Sequence, residues 1–153
     1  MKLYFLPFAC SLASRIALLE AELDAEFVAV PADRQLPDGR ALKALNPMNL
    51  VPVLETGDGG VLTENVAILC YIADLAAEGV LAPALYTPDR YRMLAWLNFV
   101  GTEVHSTIFH PLFDKGVRGR DFALAQVEQR FTVLSEHLRE REFLVGGRFS
   151  VAD

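Results

Sequence analysis

Cys10 follows a short apolar run, Lys2 to Leu6, and a turn at Pro7. Ser11 then opens a segment with Leu12, Ile16, Leu18 and Leu19 at helical spacing. The spacing places the sulfur at a helix N-terminus. Unpaired backbone N–H groups and the helix dipole there favour a thiolate over a thiol. A thiolate is the nucleophilic form, so the pattern points to thiol chemistry. A lone Cys is also commonly a small buried hydrophobe, but the strand–turn–Cys–helix placement argues for the reactive role. Position 13 is Ala, so a second thiol at C-x-x-C spacing is absent. A mixed disulfide at Cys10 would therefore need an external thiol to resolve it. Cys70, inside Ile68-Leu69-Cys70-Tyr71-Ile72, reads as core.

Three further groups carry possible chemistry. Val51-Pro52 opens a strand after a loop, and Pro cannot donate to the ladder. If the bond is cis, the Val51 backbone is turned outward and can pair with an extended peptide-like ligand; an ordinary trans Pro fits the residues equally well. Glu64-Asn65 opens a second helix, where backbone N–H groups and the Asn amide suit a carboxylate and Glu64 suits an ammonium. Plain capping of that helix by Thr63 or Glu64 is the simpler alternative. Glu103 and His105 lie on a long helical segment, with Asn98 nearly two turns earlier. A His on a helix is more often structural than functional. His110-Pro111 reads as a bend, and His137 as solvent-exposed.

The elements that must position these residues alternate over residues 1 to about 77. Leu3 to Leu6 reads as a strand, Ser11 to Glu22 as an amphipathic helix and Glu26 to Val30 as a second strand. This βαβ unit implies a parallel pair with a right-handed crossover. Pro31 to Asp38 is a polar loop, and Arg40 to Leu45 suits one or two helical turns before Asn46-Pro47 breaks them. Val51 to Glu55 and Gly60 to Thr63 read as strands joined by the Asp58-Gly59 hairpin signal. Glu64 to Asp74 is a mostly apolar, buried helix. The order suggests an α/β thioredoxin-like sheet with helices on its faces. Residues 78–87 form a linker ending in a Thr87 N-cap and Pro88 at the first helical position. From 88 to 153 the pattern is all-α: one long helix from Asp89 to about Phe113 with a weak point at Gly101, a break at Lys115 to Gly119, and a helix from Asp121 to about Arg141. Ser150-Val151-Ala152-Asp153 has capping-box form, and the sequence stops there. That predicts an incomplete helical domain continued by further helices.

Composition narrows the function classes. The 153 residues are 52% hydrophobic with a formal net charge of −6, enough for one domain or two small ones. Mean hydropathy is +0.27, yet no apolar run reaches bilayer length. The N-terminus lacks the form of a secretory signal. The acidic balance leaves no electrostatic footprint for nucleic acid. Two cysteines in unlike settings argue against a disulfide framework and for a reducing, cytoplasmic compartment. The three His have no metal-ligand spacing, so no metal is expected.

Several motifs belong together: Met1-Lys2-Leu3-Tyr4, Pro7, Ala9-Cys10-Ser11-Leu12-Ala13, Asn46-Pro47 with Val51-Pro52, and Thr63-Glu64-Asn65-Val66-Ala67-Ile68. To these add Trp96-Leu97-Asn98, Thr102-Glu103-Val104-His105 and Phe149-Ser150-Val151-Ala152-Asp153. Over the whole chain they resemble the cytosolic glutathione transferases, most closely the bacterial beta-like class. The resemblance implies a glutathione-binding thioredoxin-like domain (1–77) beside a partial helical domain (88–153) that shapes the second-substrate site. It implies glutathione as co-substrate, a small apolar electrophile or disulfide as partner, and a homodimer. By motif position, Cys10 faces the glutathione sulfur and Val51, next to a cis Pro52, pairs with the cysteinyl backbone. Glu64 and Asn65 hold the γ-glutamyl end, and Arg34 meets the glycine carboxylate. Asn98 and His105 approach from the helical domain, with His105 beside Cys10 as the second catalytic candidate, and Glu103 reaches the neighbouring subunit's site.

Several positions depart from the family pattern. Phe5 stands where Tyr is common, Ser106 where Lys is frequent, and Asn65 where a small residue is usual. Met48-Asn49-Leu50 replaces a Gly-containing stretch, and Asn49 tolerates the left-handed backbone that Gly would supply. The leading expectation is a transferase that conjugates glutathione to electrophiles, with mixed-disulfide chemistry through Cys10 as a companion activity. The alternative is a non-catalytic binding or scaffold module of the same fold, because fold does not imply function. A Cys peroxidase suits the helical domain and Glu64-Asn65 poorly.

Overall fold

The computed structural model describes residues 1–113 and 117–153. It divides into two compact units, Met1–Leu81 and Ala82–Asp153. The first unit holds a four-stranded sheet in the order β2-β1-β3-β4, made from β1 (Lys2–Phe5), β2 (Glu26–Ala29), β3 (Val53–Glu55) and β4 (Val61–Thr63). β1 and β2 are parallel, with Leu3 opposite Phe27, and β3 runs antiparallel to both β1 and β4. The expected thioredoxin-like arrangement is therefore present. β3 begins at Val53, two residues later than expected, after a Pro that has no N–H to give. The β3–β4 turn is closed by Thr56 N donating to the Gly60 carbonyl at 2.9 Å, and Gly59 supplies its left-handed residue at φ +85°.

Side-chain alternation assigns the two sheet faces. Leu3 and Leu54, paired across β1 and β3, are fully buried. Helix α1 (Ser11–Glu20) packs on α2 (Asn65–Leu75) and on β1, and α2 buries Ile68, Leu69, Ile72 and Ala73. Tyr4 points the other way, into a cluster with Val30, Leu36, Leu42 and Val53. The 31–50 segment covers that face, folded around a single 3-10 turn at Leu42–Ala44.

A polar network crosses this second face. The Tyr4 hydroxyl donates to Glu55 Oε2 at 2.9 Å and accepts from Arg40 Nη2 at 2.9 Å, while Arg40 Nη1 donates to Glu55 Oε1 at 2.8 Å. Burial, then the Glu55 carboxylate, pushes the Tyr4 hydroxyl up to about 12. Arg40's hydrogen bonds hold Glu55 below the usual carboxylate range. The signs differ. A raised folded pKa gives stability that is complete below the unfolded tyrosine value and lost as pH climbs through about 12. A lowered carboxylate pKa gives stability that is present above the ordinary carboxylate range and lost as pH falls below it. Urea titrations across pH should therefore show an alkaline decline that Tyr4→Phe flattens. An identical alkaline limb in parent and variant would count against the network.

The second unit is helical. Thr87 caps α3 (Pro88–Phe99), its side chain accepting from Arg90 N at 3.3 Å, with Pro88 in the first turn as expected. The single long α-helix expected from 89 to 113 is not uniform. At Val100 the pitch widens into a π-helix, Val100–Phe109, followed by α4 (His110–Phe113). Gly101 lies at the start of this change, where the missing Cβ weakens α-helix preference. Hydroxyls sustain the wider pitch: Ser106 Oγ donates to the Gly101 carbonyl at 2.9 Å and Thr107 Oγ1 to the Thr102 carbonyl at 2.8 Å, both five residues back.

Helix α5 runs Val117–Leu138, so it starts four residues before the expected Asp121. Of the expected break, Lys115 and Gly116 lie outside the described residues. His137 corrects its expected exposure. Its ring sits 4.5 Å from that of Trp96, and its Nε2 lies 2.9 Å from the Leu144 carbonyl. The capping box forms: Asp153 Oδ2 accepts from both Ser150 N and Ser150 Oγ at 2.9 Å, and Ser150 Oγ accepts from Ala152 N at 3.3 Å. No described helix is long and apolar enough to cross a membrane.

Candidate functional site

The site is built around the β1–α1 turn. Ser11 is fully buried, and its Oγ accepts from Leu6 N at 3.1 Å and donates to the Leu6 carbonyl at 3.2 Å. That pair of bonds fastens the end of β1 to the first turn of α1 and fixes the residues between. Phe8 is among them, at φ +60° and 98% exposed. A bulky residue in left-handed backbone, with its ring in solvent, is a strained arrangement of the sort found at functional sites.

Cys10 occupies the N-cap position of α1, half-buried, and its Sγ donates to the Val51 carbonyl at 3.7 Å. The expected thiolate is corrected. Burial pushes the Cys10 thiol up; the backbone N–H groups of Ser11 and of Cys10 itself pull it down without prevailing, and the Glu64 carboxylate adds to the upward push. The helix N-terminus acts in the expected direction but is outweighed by lost hydration. The free sulfur is therefore a hydrogen-bond donor.

The partner carbonyl belongs to a cis peptide bond, Val51-Pro52. The preceding turn is organised by Asn46, which is 6% exposed. Its Nδ2 donates to the Leu50 carbonyl at 2.9 Å and its Oδ1 accepts from Met48 N at 3.0 Å. Asn49 adopts the left-handed backbone at φ +58°, as expected for the residue replacing Gly.

At the start of α2, Glu64 is exposed at φ +66°, and its side chain does not cap the helix. Of the two residues offered for plain capping, Glu64 thus makes no side-chain cap. Asn65 Oδ1 accepts from Ser14 Oγ at 2.6 Å, so half of this amide ties α2 to α1. Phe5, in place of Tyr, lies under the Arg15 guanidinium at 5.0 Å, with Phe27 at 5.2 Å. Arg34 sits in the 31–50 segment at φ +61°, and its Nη1 is buried without a hydrogen-bond partner.

Cys10 Sγ meets the Val51 carbonyl, the Glu64 carboxylate lies near enough to act on that thiol, and Asn65 is tied to α1 through Ser14. Asn98, Glu103 and His105 belong to the second unit. Asn98 and His105 are exposed, and the π-helical pitch between them removes the shared face that an α-helix would give residues seven apart. Glu103 Oε2 accepts from Arg130 Nη2 at 2.9 Å, so this carboxylate is paired within its own unit. Ser106, in the Lys position, spends its hydroxyl on the Gly101 carbonyl. Among the described residues no cluster of His, Cys, Asp or Glu could hold a metal. Ser11, Ser14 and Asn46 were not marked as site-forming by the sequence. The signal was there for the first two: polar residues three apart on the buried face of an apolar helix.

A thioredoxin-like sheet with a single thiol at a helix start, a cis-Pro carbonyl against that thiol and a following helical unit defines a class of thiol-handling protein. The comparisons specify it. Residues 9–75 match the family model for the glutathione S-transferase N-terminal domain. The chain is 38% identical over its full length to glutathione S-transferase GstA of Escherichia coli O157:H7, covering 77% of that protein. A sphingomonad glutathione S-transferase solved in complex with glutathione is 42% identical, with a TM-score of 0.93 over 99% of this chain and 77% of its own. A bacterial beta class enzyme from Sphingomonas chungbukensis is 40% identical, with a TM-score of 0.92 over 99% of this chain and 77% of its own. The chain belongs to the glutathione S-transferase family and is a glutathione transferase akin to its bacterial beta class.

Proposed function

We propose that this chain conjugates glutathione to small apolar electrophiles, with Cys10 as a thiol donor to the glutathione sulfur. The observation that carries the reading is the half-buried Cys10 Sγ, held at the first turn of α1 against the Val51 carbonyl. A protonated thiol there can turn from that carbonyl to a bound thiolate. A hydrogen bond to a charged acceptor is worth about 1.5–3 kcal/mol. The bound glutathione thiol loses its proton to solvent, its sulfur attacks the electrophilic carbon, and the leaving group departs with the bonding pair. The Val51 backbone, Glu64, Asn65 Nδ2 and Arg34 serve as the recognition groups for the rest of the tripeptide. Asn98 and His105 are the contributions of the helical unit. We read the enzyme as a cytoplasmic homodimer with 78–87 as its linker. The Glu103–Arg130 pair favours a structural duty for Glu103 over one in the neighbouring site.

Phe8 supports an aromatic or otherwise apolar second substrate. It presents a 98% exposed ring two residues before the thiol, at the cost of left-handed backbone. Phe8→Gly relieves the backbone and deletes the ring. It should raise the KM for an aromatic halide about 2- to 10-fold, the usual worth of one aromatic contact, and leave the glutathione Kd unchanged. Steady-state conjugation with calorimetric titration of glutathione tests both halves. A parent protein that binds no glutathione and turns over no electrophile would sink the enzyme reading in favour of a scaffold module.

A further inference from the structure

We propose that Arg40 is a positioning residue for glutathione: it rivets the loop carrying Arg34 to the central strands, so that Arg34 is presented to the glycine carboxylate. The inference rests on the reading of Arg34 as the carboxylate receptor and adds the device that holds it.

The loop is a small hairpin closed across its base. Leu42 N donates to the Arg34 carbonyl at 2.9 Å, Leu36 N to the Arg40 carbonyl at 2.8 Å, and Gln35 and Ala41 form an antiparallel bridge. Arg34 and Arg40 therefore stand on opposite arms of one short ladder. Leu36 and Leu42 bury one side of it against Tyr4 and Val53. Polar anchoring comes from Arg40. Its Nε and Nη2 donate to Asp38 Oδ2 at 2.9 and 2.7 Å, its Nη1 to Glu55 Oε1 at 2.8 Å and its Nη2 to the Tyr4 hydroxyl at 2.9 Å. Tyr4 belongs to β1 and Glu55 to β3, so one guanidinium joins the hairpin to two adjacent strands.

The two arginines differ in the donors they have left. A guanidinium has five N–H donors, and Arg40 spends four of them on Asp38, Glu55 and Tyr4. It has at most one left, too few for the bidentate grip on a carboxylate that Arg geometry favours. Arg34 is the reverse case: its Nη1 is buried with no acceptor. A buried cationic donor without a partner is unfavourable, and a ligand carboxylate relieves it. Arg34 also sits at φ +61°, a backbone state that persists only where the surroundings enforce it. The Arg40 rivet is such an enforcement.

The test uses two ligands that differ only at the carboxylate in question: glutathione, and γ-glutamylcysteine, which lacks the glycine. Their Kd values are measured for the parent, Arg34→Gln, Arg40→Gln and the double variant, with kcat and KM for conjugation alongside. Arg40→Gln should weaken glutathione about 10-fold, in the range set by one charge-assisted contact, with kcat within about twofold. It should leave γ-glutamylcysteine unaffected. The double variant should bind no worse than Arg34→Gln, and Arg40→Lys should recover part of the loss. An equal loss for both ligands would make Arg40 a general structural residue and overturn the proposal, as would additive effects in the double variant or no effect of Arg40→Gln. If Arg34→Gln binds glutathione like the parent, the receptor assignment itself fails, whatever Arg40 does. Should Arg40→Gln not fold, Glu55→Gln weakens the same rivet and must give the same ligand-selective loss.

Discussion

Cys10→Ala should lower kcat/KM for glutathione conjugation by about 10- to 100-fold, the worth of one hydrogen bond to a charged sulfur. Burial raises the pKa of the free thiol, so near neutral pH it is protonated and donates, at present to the Val51 carbonyl. When glutathione binds, the same proton can stabilise the glutathione thiolate. Removing it should raise the apparent pKa of bound glutathione, moving the pH–rate profile of the variant to higher pH by about one to two units. Cys10→Ser keeps a donor and should lose much less.

The companion chemistry has the opposite pH signature. A mixed disulfide with oxidised glutathione requires the Cys10 thiolate to attack one sulfur and expel the other glutathione as a thiolate. Because the Cys10 pKa is raised, intact mass should show a single adduct that forms faster as pH rises through and beyond the ordinary thiol range, and that Cys10→Ser lacks. Rapid, pH-independent labelling at pH 6–7 would mean that the sulfur is already a thiolate. The donor role would then be wrong, and thiol transfer would become the better reading of the site.

The second large effect belongs to Ser11. Ser11→Ala should destabilise the protein by about 2–3 kcal/mol, read as a lower urea midpoint with little change in slope. The hydroxyl is fully buried and bonds both polar groups of Leu6. Without it the Leu6 carbonyl still accepts from Ala9 N at 3.3 Å, but the Leu6 N–H loses the partner that Ser11 provides. A buried unpaired amide costs about 1–3 kcal/mol on its own. The turn that holds Phe8 and Cys10 should loosen with it, so glutathione binding should weaken even at temperatures where the variant is folded. A midpoint within about 0.5 kcal/mol of the parent would show that water reaches Leu6 and that this bond is not what fixes the turn.

Much of the first unit was legible because its signals are local. Alternation and helical spacing mark β1, α1, β2 and α2; Asp58-Gly59 marks the hairpin; Thr87-Pro88 marks the start of α3. The left-handed Asn49 followed from the family resemblance, which implies a Gly-containing stretch there, together with an Asn side chain that tolerates that backbone. The second unit was legible as helical, but its pitch was not. Spacing arguments assume 100° per residue, and the change at Val100 depends on hydroxyl-to-carbonyl bonds spanning five residues.

Residue types and order along the chain thus determined the thiol, the strand–turn–helix that carries it and the family. Only the tertiary structure showed the direction in which that thiol is pushed, because desolvation depends on what packs around a sulfur, and burial there outweighs the helix N-terminus. It also decided which polar groups are spent and which are waiting. Glu103 is spent on Arg130, 27 residues away, and Arg40 on strands 15 and 36 residues distant, whereas Arg34 Nη1 is left unpaired. Such pairings join residues far apart in the chain, and no local pattern encodes them.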